Sequence, residues 1–306
     1  MTTLTPAEKH QLAVSKNHRK AAWLSRGLIL PALIFGIVLT QVPFLVTIYY
    51  SMINWNLLKP TEIGFAWFNN YINVFTKGDL VPSMLATVTI TGSAVVLSLL
   101  FGLLFAILLD RNFKGQALAR TLVITPFLIM PAAASLIWKF SMFDTSVGIL
   151  NWIARLLGVP EIAWSTDLPF WTVVIVLTWQ YTPFMMLILL AGLQSQSKEV
   201  LEAASVDGSS VFRTFQWITL PHLRQYVEIA VLLGTIMILQ VFDPVAIMTK
   251  GTGNTKTLAY LLYERAFIGL DVGEAAAYGV VTVILTIIVA TITLRTLFKV
   301  FMSGAK

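Results

Sequence analysis

The sequence predicts an all-α fold, a polytopic membrane protein of six transmembrane helices with a polar loop before the fifth. Composition is the first observation. The 306 residues are 57% hydrophobic and only 12% charged, with a mean hydropathy of +0.79. Soluble domains carry about 25% charged residues, so lipid must be the solvent for most of the chain. Three runs carry no charge at all: Gly27–Leu58, Val81–Leu109 and Leu168–Ser197. Each meets the roughly 20 apolar residues needed to cross a bilayer. The third observation is an interruption: EAASVDGSSVFRTFQWITLPHLRQ, Glu202 to Gln225, is too polar to be membrane-embedded. The absence of cysteine excludes disulfides, a thiolate nucleophile and Cys-ligated metal.

In chain order, a tail over 1–26 precedes a transmembrane domain over 27–300, and 301–306 form a second tail. The spans are expected at about 27–49, 83–109, 121–141, 171–194, 226–248 and 275–298. The first is too long for the 7–15-residue core of a signal peptide and no small-residue cleavage site follows it, so it reads as retained. The third is short, with Lys139 near its end, and the fifth contains Glu228 and Asp243. Between the third and fourth, Ile149, Trp152, Ile153 and Leu156 recur at helical spacing, which predicts a short amphipathic helix at the outer surface.

Orientation follows from Lys and Arg, which concentrate on cytoplasmic loops. Both tails, the second connection and the fourth together hold 14 of these residues, against 7 on the other side. Both termini and the loop at 195–225 are therefore expected in the cytoplasm. The net charge of +6 is explained by this topology and calls for no nucleic-acid partner. Aromatic residues, Trp55, Trp67, Phe68, Tyr71, Trp152 and Trp164 among them, crowd the outer side as an interfacial belt would.

Within the loop, Ser195 and Ser197 are candidate N-caps, and Glu199 and Glu202 lie in the first turns, where the helix dipole favours acids. One short helix should run to Asp207, with Gly208 supplying the turn. A second should follow with Val211, Phe215 and Ile218 on one face and end at Pro221. The apolar stripe of Phe212, Phe215 and Ile218 beside paired acids points to a docking surface rather than a merely solvated face.

Glu202-Ala203-Ala204-x-x-Asp207-Gly208, followed by Phe215, Ile218, Leu220 and Pro221, resembles the EAA motif of ABC importer permeases; Ser209 stands where alanine is usual. GFAWFNNY, TPFMMLILLAGLQSQ and GLDVGEAAAYG are similar to segments of the carbohydrate (maltose-type) branch, and the resemblance covers about residues 20–300. It implies a bacterial inner-membrane subunit that pairs with a second, homologous permease and sits on a dimeric ATP-binding cassette ATPase. An extracytoplasmic binding protein would deliver a sugar or polyol. It further implies that Glu202, Ala203, Ala204, Asp207, Gly208, Phe215 and Pro221 form the ATPase-coupling element, with Glu202 meeting a basic group. ATP and Mg would be bound by the ATPase, with no cofactor in this chain.

The chain itself offers no enzyme site. KGTGNTKT, Lys250 to Thr257, lacks the spacing of a phosphate-binding loop. His10, His18 and His222 have no metal-ligand spacing, and His222 reads as a surface residue near the headgroups. Polar residues inside spans are solute candidates or interhelical ties. Gln41 stands out alongside Trp179, Gln180, Tyr181, Gln240 and Asp243, which together supply the amides, carboxylate and aromatic faces that bind sugars. Gln240 and Asp243, three apart, could share one helix face, and Asp243 is the one plausible buried charge. An ion-coupled secondary transporter is the rival; it calls for paired intramembrane charges and internal repeats.

Overall fold

The computed structural model describes residues 6–302 in backbone and, within them, residues 29–292 in their side chains. The expected tails fall partly outside: residues 1–5 and 303–306 are not among the described ones, and the side chains of the basic N-terminal stretch are not either. The chain opens with α1 (Pro6–Ser51), a two-stranded hairpin of β1 (Ile53–Asn54) and β2 (Gly64–Phe65), and α2 (Asn69–Thr76). Then come α3 (Leu80–Asp110), α4 (Gln116–Leu128), α5 (Pro131–Ile137), α6 (Ile149–Leu156), α7 (Trp164–Asp167) and α8 (Pro169–Gln194). The remainder is α9 (Lys198–Val206), α10 (Val211–Thr214), α11 (Leu220–Leu239), α12 (Leu258–Tyr263) and α13 (Val272–Met302).

Five helices are long and apolar enough to span a membrane: Ile29–Ser51, Leu80–Asp110, Pro169–Gln194, Val211–Leu239 and Val272–Ile292. The sixth expected span, 121–141, is not one straight helix. Gln116–Leu128 and Pro131–Met142 meet at 103° and together make the sixth candidate. Pro131 is the cause, because its ring forces the preceding Met130 out of the helical region, to ψ 134°. Beyond α5 the backbone widens into a π turn, Trp138–Met142.

The fifth span also departs from 226–248. Its helix ends at Leu239, and Val241 to Pro244 lead into a π turn at Val245–Thr249. At its other end Pro221 does not terminate the second loop helix. A π turn over Phe215–Thr219 widens the ladder just where the proline ring would meet the carbonyl of Trp217. The helix therefore runs on from Val211 to Leu239.

α8 is the axis of the bundle, with 72% of its most apolar window buried, whereas the first span has none buried and is peripheral. Lipid tails are as apolar as leucine, so close packing rather than water exclusion must hold such helices together. α3 answers with a buried face of small residues: Ser83, Ala86, Thr87, Thr91, Ala94, Ser98, Gly102 and Ala106. Gly102 is where α3 and α8 approach most closely, since a Cβ there would lie 2.9 Å from the backbone nitrogen of Met186. A core of Ile90, Val173, Leu177, Tyr181, Met185 and Ile238 ties α3, α8 and α11 together.

The expected amphipathic helix is α6. Its apolar face is exposed (Ile149, Trp152, Ile153, Leu156), while Asn151 is buried and bonds the backbone of Asp144 and Ile162. Before it, the Asp144 carboxylate accepts from the backbone N–H groups of Val147 and Ser146, which hold its pKa below the ordinary aspartate value.

Candidate functional site

Two regions carry the candidate residues: the polar loop between α8 and α11, and a pair of helix breaks that meet α8 midway along the bundle. In the loop, α9 begins at Lys198 with Ser197 in the extended backbone of an N-cap, although its side chain makes no capping bond. Ser195 is used differently. Its hydroxyl lies 2.8 Å from the Gly192 carbonyl, 2.8 Å from the Tyr226 hydroxyl and 3.0 Å from His222 Nε2. His222 Nε2 also lies 3.1 Å from the Gly192 carbonyl, and that acceptor requires a protonated Nε2. His222 is thus a half-buried joint between the end of α8 and the start of α11, not the free surface residue the sequence suggests.

α9 ends where expected. Asp207 is its C-cap and Gly208 takes φ +75°, from which Ser209 N–H returns to the Ala204 carbonyl at 3.0 Å. This is the left-handed closure that glycine makes without strain. Ser210 then caps α10 by accepting from Arg213 N–H. Glu202, Ala203 and Asp207 are exposed, and Ala204 is buried. The expected stripe is partly wrong: Phe215 and Ile218 are half-buried. The exposed apolar residues are Val206 (87%), Val211 (85%), Phe212 (75%) and Trp217 (72%). Trp217 was legible only as a member of the loop, because the π turn over Phe215–Thr219 rotates the face that regular helical spacing assigns. Four such side chains around two acids on one polar loop make an unpartnered patch.

The second region is built on broken backbone. A kink leaves carbonyls without helical partners, and in lipid these must be satisfied by protein. Gln180, buried in α8, donates through Nε2 to the Ile129 carbonyl at 2.9 Å, directly at the bend between α4 and α5. Lys139 Nζ donates to the Ile247 carbonyl at 2.8 Å, in the π turn that follows the fifth span. The two breaks are therefore laced to each other and to α8. Trp179 packs edge-on to Trp138, with ring centroids 5.6 Å apart. Tyr181 lies in the core with its ring 6.3 Å from that of Phe127 and within electrostatic reach of Asp243.

Gln240 and Asp243 do not share a helix face, because the helix ends between them. Gln240 is exposed, donates to its own Ile236 carbonyl at 3.3 Å, and lines a separate cleft of about 230 Å³ with Thr87, Thr282 and Thr286. Gln41 is likewise exposed and donates to Thr40. Of the five nominated residues, Trp179, Gln180 and Tyr181 follow one another on α8, Asp243 lies within electrostatic reach of Tyr181, and Gln240 stands apart in its own cleft.

Asp243, the charge the sequence expects to be buried, is only half-buried; the buried charge among the described residues is Glu274. Glu274 is almost fully buried at the start of α13; it pairs with Lys77 and lies 3.6 Å from Arg265 Nε, while Arg265 also pairs with Asp79. The Arg265 guanidinium sits 5.8 Å from the Tyr278 ring. This four-charge cluster joins the start of α3 to the start of α13. Its members lie up to 197 positions apart in the chain, so spacing could not reveal it. In the fifth span, Glu228 is paired with Arg224 at 3.3 Å.

Comparison with known proteins agrees with this architecture. Residues 98–303 match the model of the binding-protein-dependent transport system inner membrane component family. The chain is 33% identical to the trehalose/maltose transport system permease protein MalF of Thermococcus litoralis, over 89% of this chain and 93% of that protein. It is 32% identical to a probable ABC transporter permease of Sinorhizobium fredii, over 88% of each. In fold it is similar to a permease chain of a bacterial ABC transporter involved in import of the acidic polysaccharide alginate. That match has a TM-score of 0.75 and 18% identity, and covers 92% of this chain and 98% of that one. The class question is thereby decided against an ion-coupled carrier: the chain belongs to the family of inner membrane components of binding-protein-dependent transport systems, the permeases of ABC importers.

Proposed function

We propose that this chain is the carbohydrate-translocating permease subunit of an ATP-driven importer, and that its 195–225 loop is the element through which a separate ATPase moves it. The observation that carries this reading is mechanical. Beyond the Gly208 turn, the second half of the loop and the fifth span are one helix from Val211 to Leu239. Force applied at α9 therefore enters the membrane along a rod of 29 residues. The four exposed apolar side chains and the acid pair on α9 supply the docking face, and Glu202 meets a basic group of the ATPase, since an unpaired carboxylate buried on docking would be costly. A near-complete conformational switch needs about 5.5 kcal/mol of bias, which a rigid connection can deliver and a flexible one cannot.

A second homologous permease subunit completes the translocation path, an extracytoplasmic binding protein delivers the solute, and both termini are cytoplasmic. ATP and Mg belong to the ATPase. The carbohydrate class is supported by relatives named for trehalose and maltose and by a Rhizobium meliloti relative named for alpha-glucosides, 34% identical over 73% of this chain. Inside the membrane, Trp179, Gln180, Tyr181 and Asp243 form the solute-facing set at the helix breaks, and Gln240 serves from its own cleft. The Oε1 of Gln180 is buried and, among the described residues, has no hydrogen-bond partner.

Co-purification with the ATPase, alongside sugar uptake in proteoliposomes, tests this. Glu202→Lys should abolish both while membrane insertion is unchanged. Normal ATPase association by that variant would sink the docking assignment.

A further inference from the structure

The outer end of the chain carries a polar pocket that neither coupling nor the helix breaks use. Its volume is about 340 Å³, within the ~300–1,000 Å³ span of small-molecule sites. It is lined by Asn54 and Glu62 from the hairpin, by Phe65, and by Asn69, Asn70 and Asn73 from α2. Asn70 is buried, and its amide donates to the Ser51 carbonyl at 2.9 Å and the Ile53 carbonyl at 2.8 Å. That double tie fixes α2 against the hairpin, so the pocket is preformed. Asn54 donates to the Glu62 carbonyl at 3.1 Å, closing the hairpin side.

What remains is binding chemistry with nothing bound to it. Asn69 and Asn73 lie one turn apart on α2, both line the pocket, and among the described residues neither side chain has a hydrogen-bond partner. Beside them Phe65 packs edge-on to Trp67, with ring centroids 4.8 Å apart. Trp67 is 68% exposed and its backbone sits at φ 51°, in the left-handed region that a bulky residue resists. Trp67 thus backs Phe65, the aromatic side chain that lines the pocket.

Amides donate and accept together, as hydroxyl groups require, and aromatic faces take the C–H face of a sugar ring. One carboxylate already paired with Lys59 makes neither an anion site nor a metal site. We propose that this pocket is a carbohydrate-contact site on the outer face, of a size for one pyranose ring or a polyol, where solute is met before it reaches the helix breaks. The proposal rests on the carbohydrate reading above.

Saturation-transfer NMR tests it on the full chain in nanodiscs, with trehalose, maltose and sorbitol as probes. Wild type should transfer saturation to at least one of them. Asn69→Ala/Asn73→Ala, both on the surface, should weaken binding about tenfold or more through the loss of two hydrogen-bonding amides. Trp67→Gly should lose the signal without losing thermal stability, because glycine removes the ring and the strain together. Equal signals from all three proteins, or none from wild type, overturn the site, as does a Trp67→Gly effect confined to nanodisc insertion. Sugar uptake by the assembled transporter is read in parallel. Normal uptake with a failed NMR result removes the site and leaves the function standing, whereas a transporter that moves no carbohydrate removes both.

Discussion

At the scale of single residues, Gln180 shows how a side chain can be nominated for one task and be found holding another. Its position in an apolar span marks it as functional from sequence alone, but the sequence does not say that Ile129, 51 residues earlier, would lose its helical partner to Pro131. Removing the donor leaves that carbonyl unpaired in a medium without water. Gln180→Met, close in volume, should lower stability in detergent by about 1–2 kcal/mol while α9 still binds the ATPase. An unchanged unfolding temperature would show that the bend needs no such tie. Gly208 was fully legible, because Asp-Gly after an apolar helical stretch is a turn signal with a mechanism. A Cβ at Gly208 would meet no atom within 4 Å, so the cost of alanine there is conformational alone, about 1–2 kcal/mol. Gly208→Asn should restore part of what Gly208→Ala loses in uptake, because asparagine visits the left-handed region readily; equal loss in both would contradict a purely conformational role.

At the scale of elements, hydropathy placed the spans well wherever a helix is uninterrupted. It failed at Pro131, where one expected span is two helices at 103°, and at Leu239, where the fifth span stops early. Both failures have one physical origin: windowed apolarity reports solvent preference and is blind to where the hydrogen-bond ladder breaks. Pro221 misled in the opposite direction, since a π turn absorbs it. The contact of α3 with α8 follows from small residues, a pattern readable in sequence once the buried face is known. Gly102→Leu should therefore separate the two helices and cost more than the same change at Gly36, around which there is open space. Thermal melts of the two variants in one detergent check this, and equal destabilisation would show that close approach at Gly102 contributes nothing.

At the scale of the whole molecule, the fold class, the spanning architecture and the helix–turn–helix form of the 195–225 loop were legible, because they depend on composition and on local turn chemistry. The charge cluster of Lys77, Asp79, Arg265 and the buried Glu274 and the lacing of the two helix breaks were not, since they arise from residues that only the tertiary fold makes neighbours. The picture that results is a bundle organised around α8, tied by charge where α3 and α13 begin, in which one continuous helix joins the polar loop to the fifth span. The claim at its centre is that this continuity carries the motion. A three-glycine insertion after Pro221 leaves α9, its acids and the four exposed apolar side chains intact but interrupts the helix between the docking face and the membrane. The measurement is sugar uptake per ATP hydrolysed by the reconstituted transporter. The insertion should leave ATPase association and hydrolysis standing and collapse uptake; a variant that still imports at the wild-type ratio would contradict the claim.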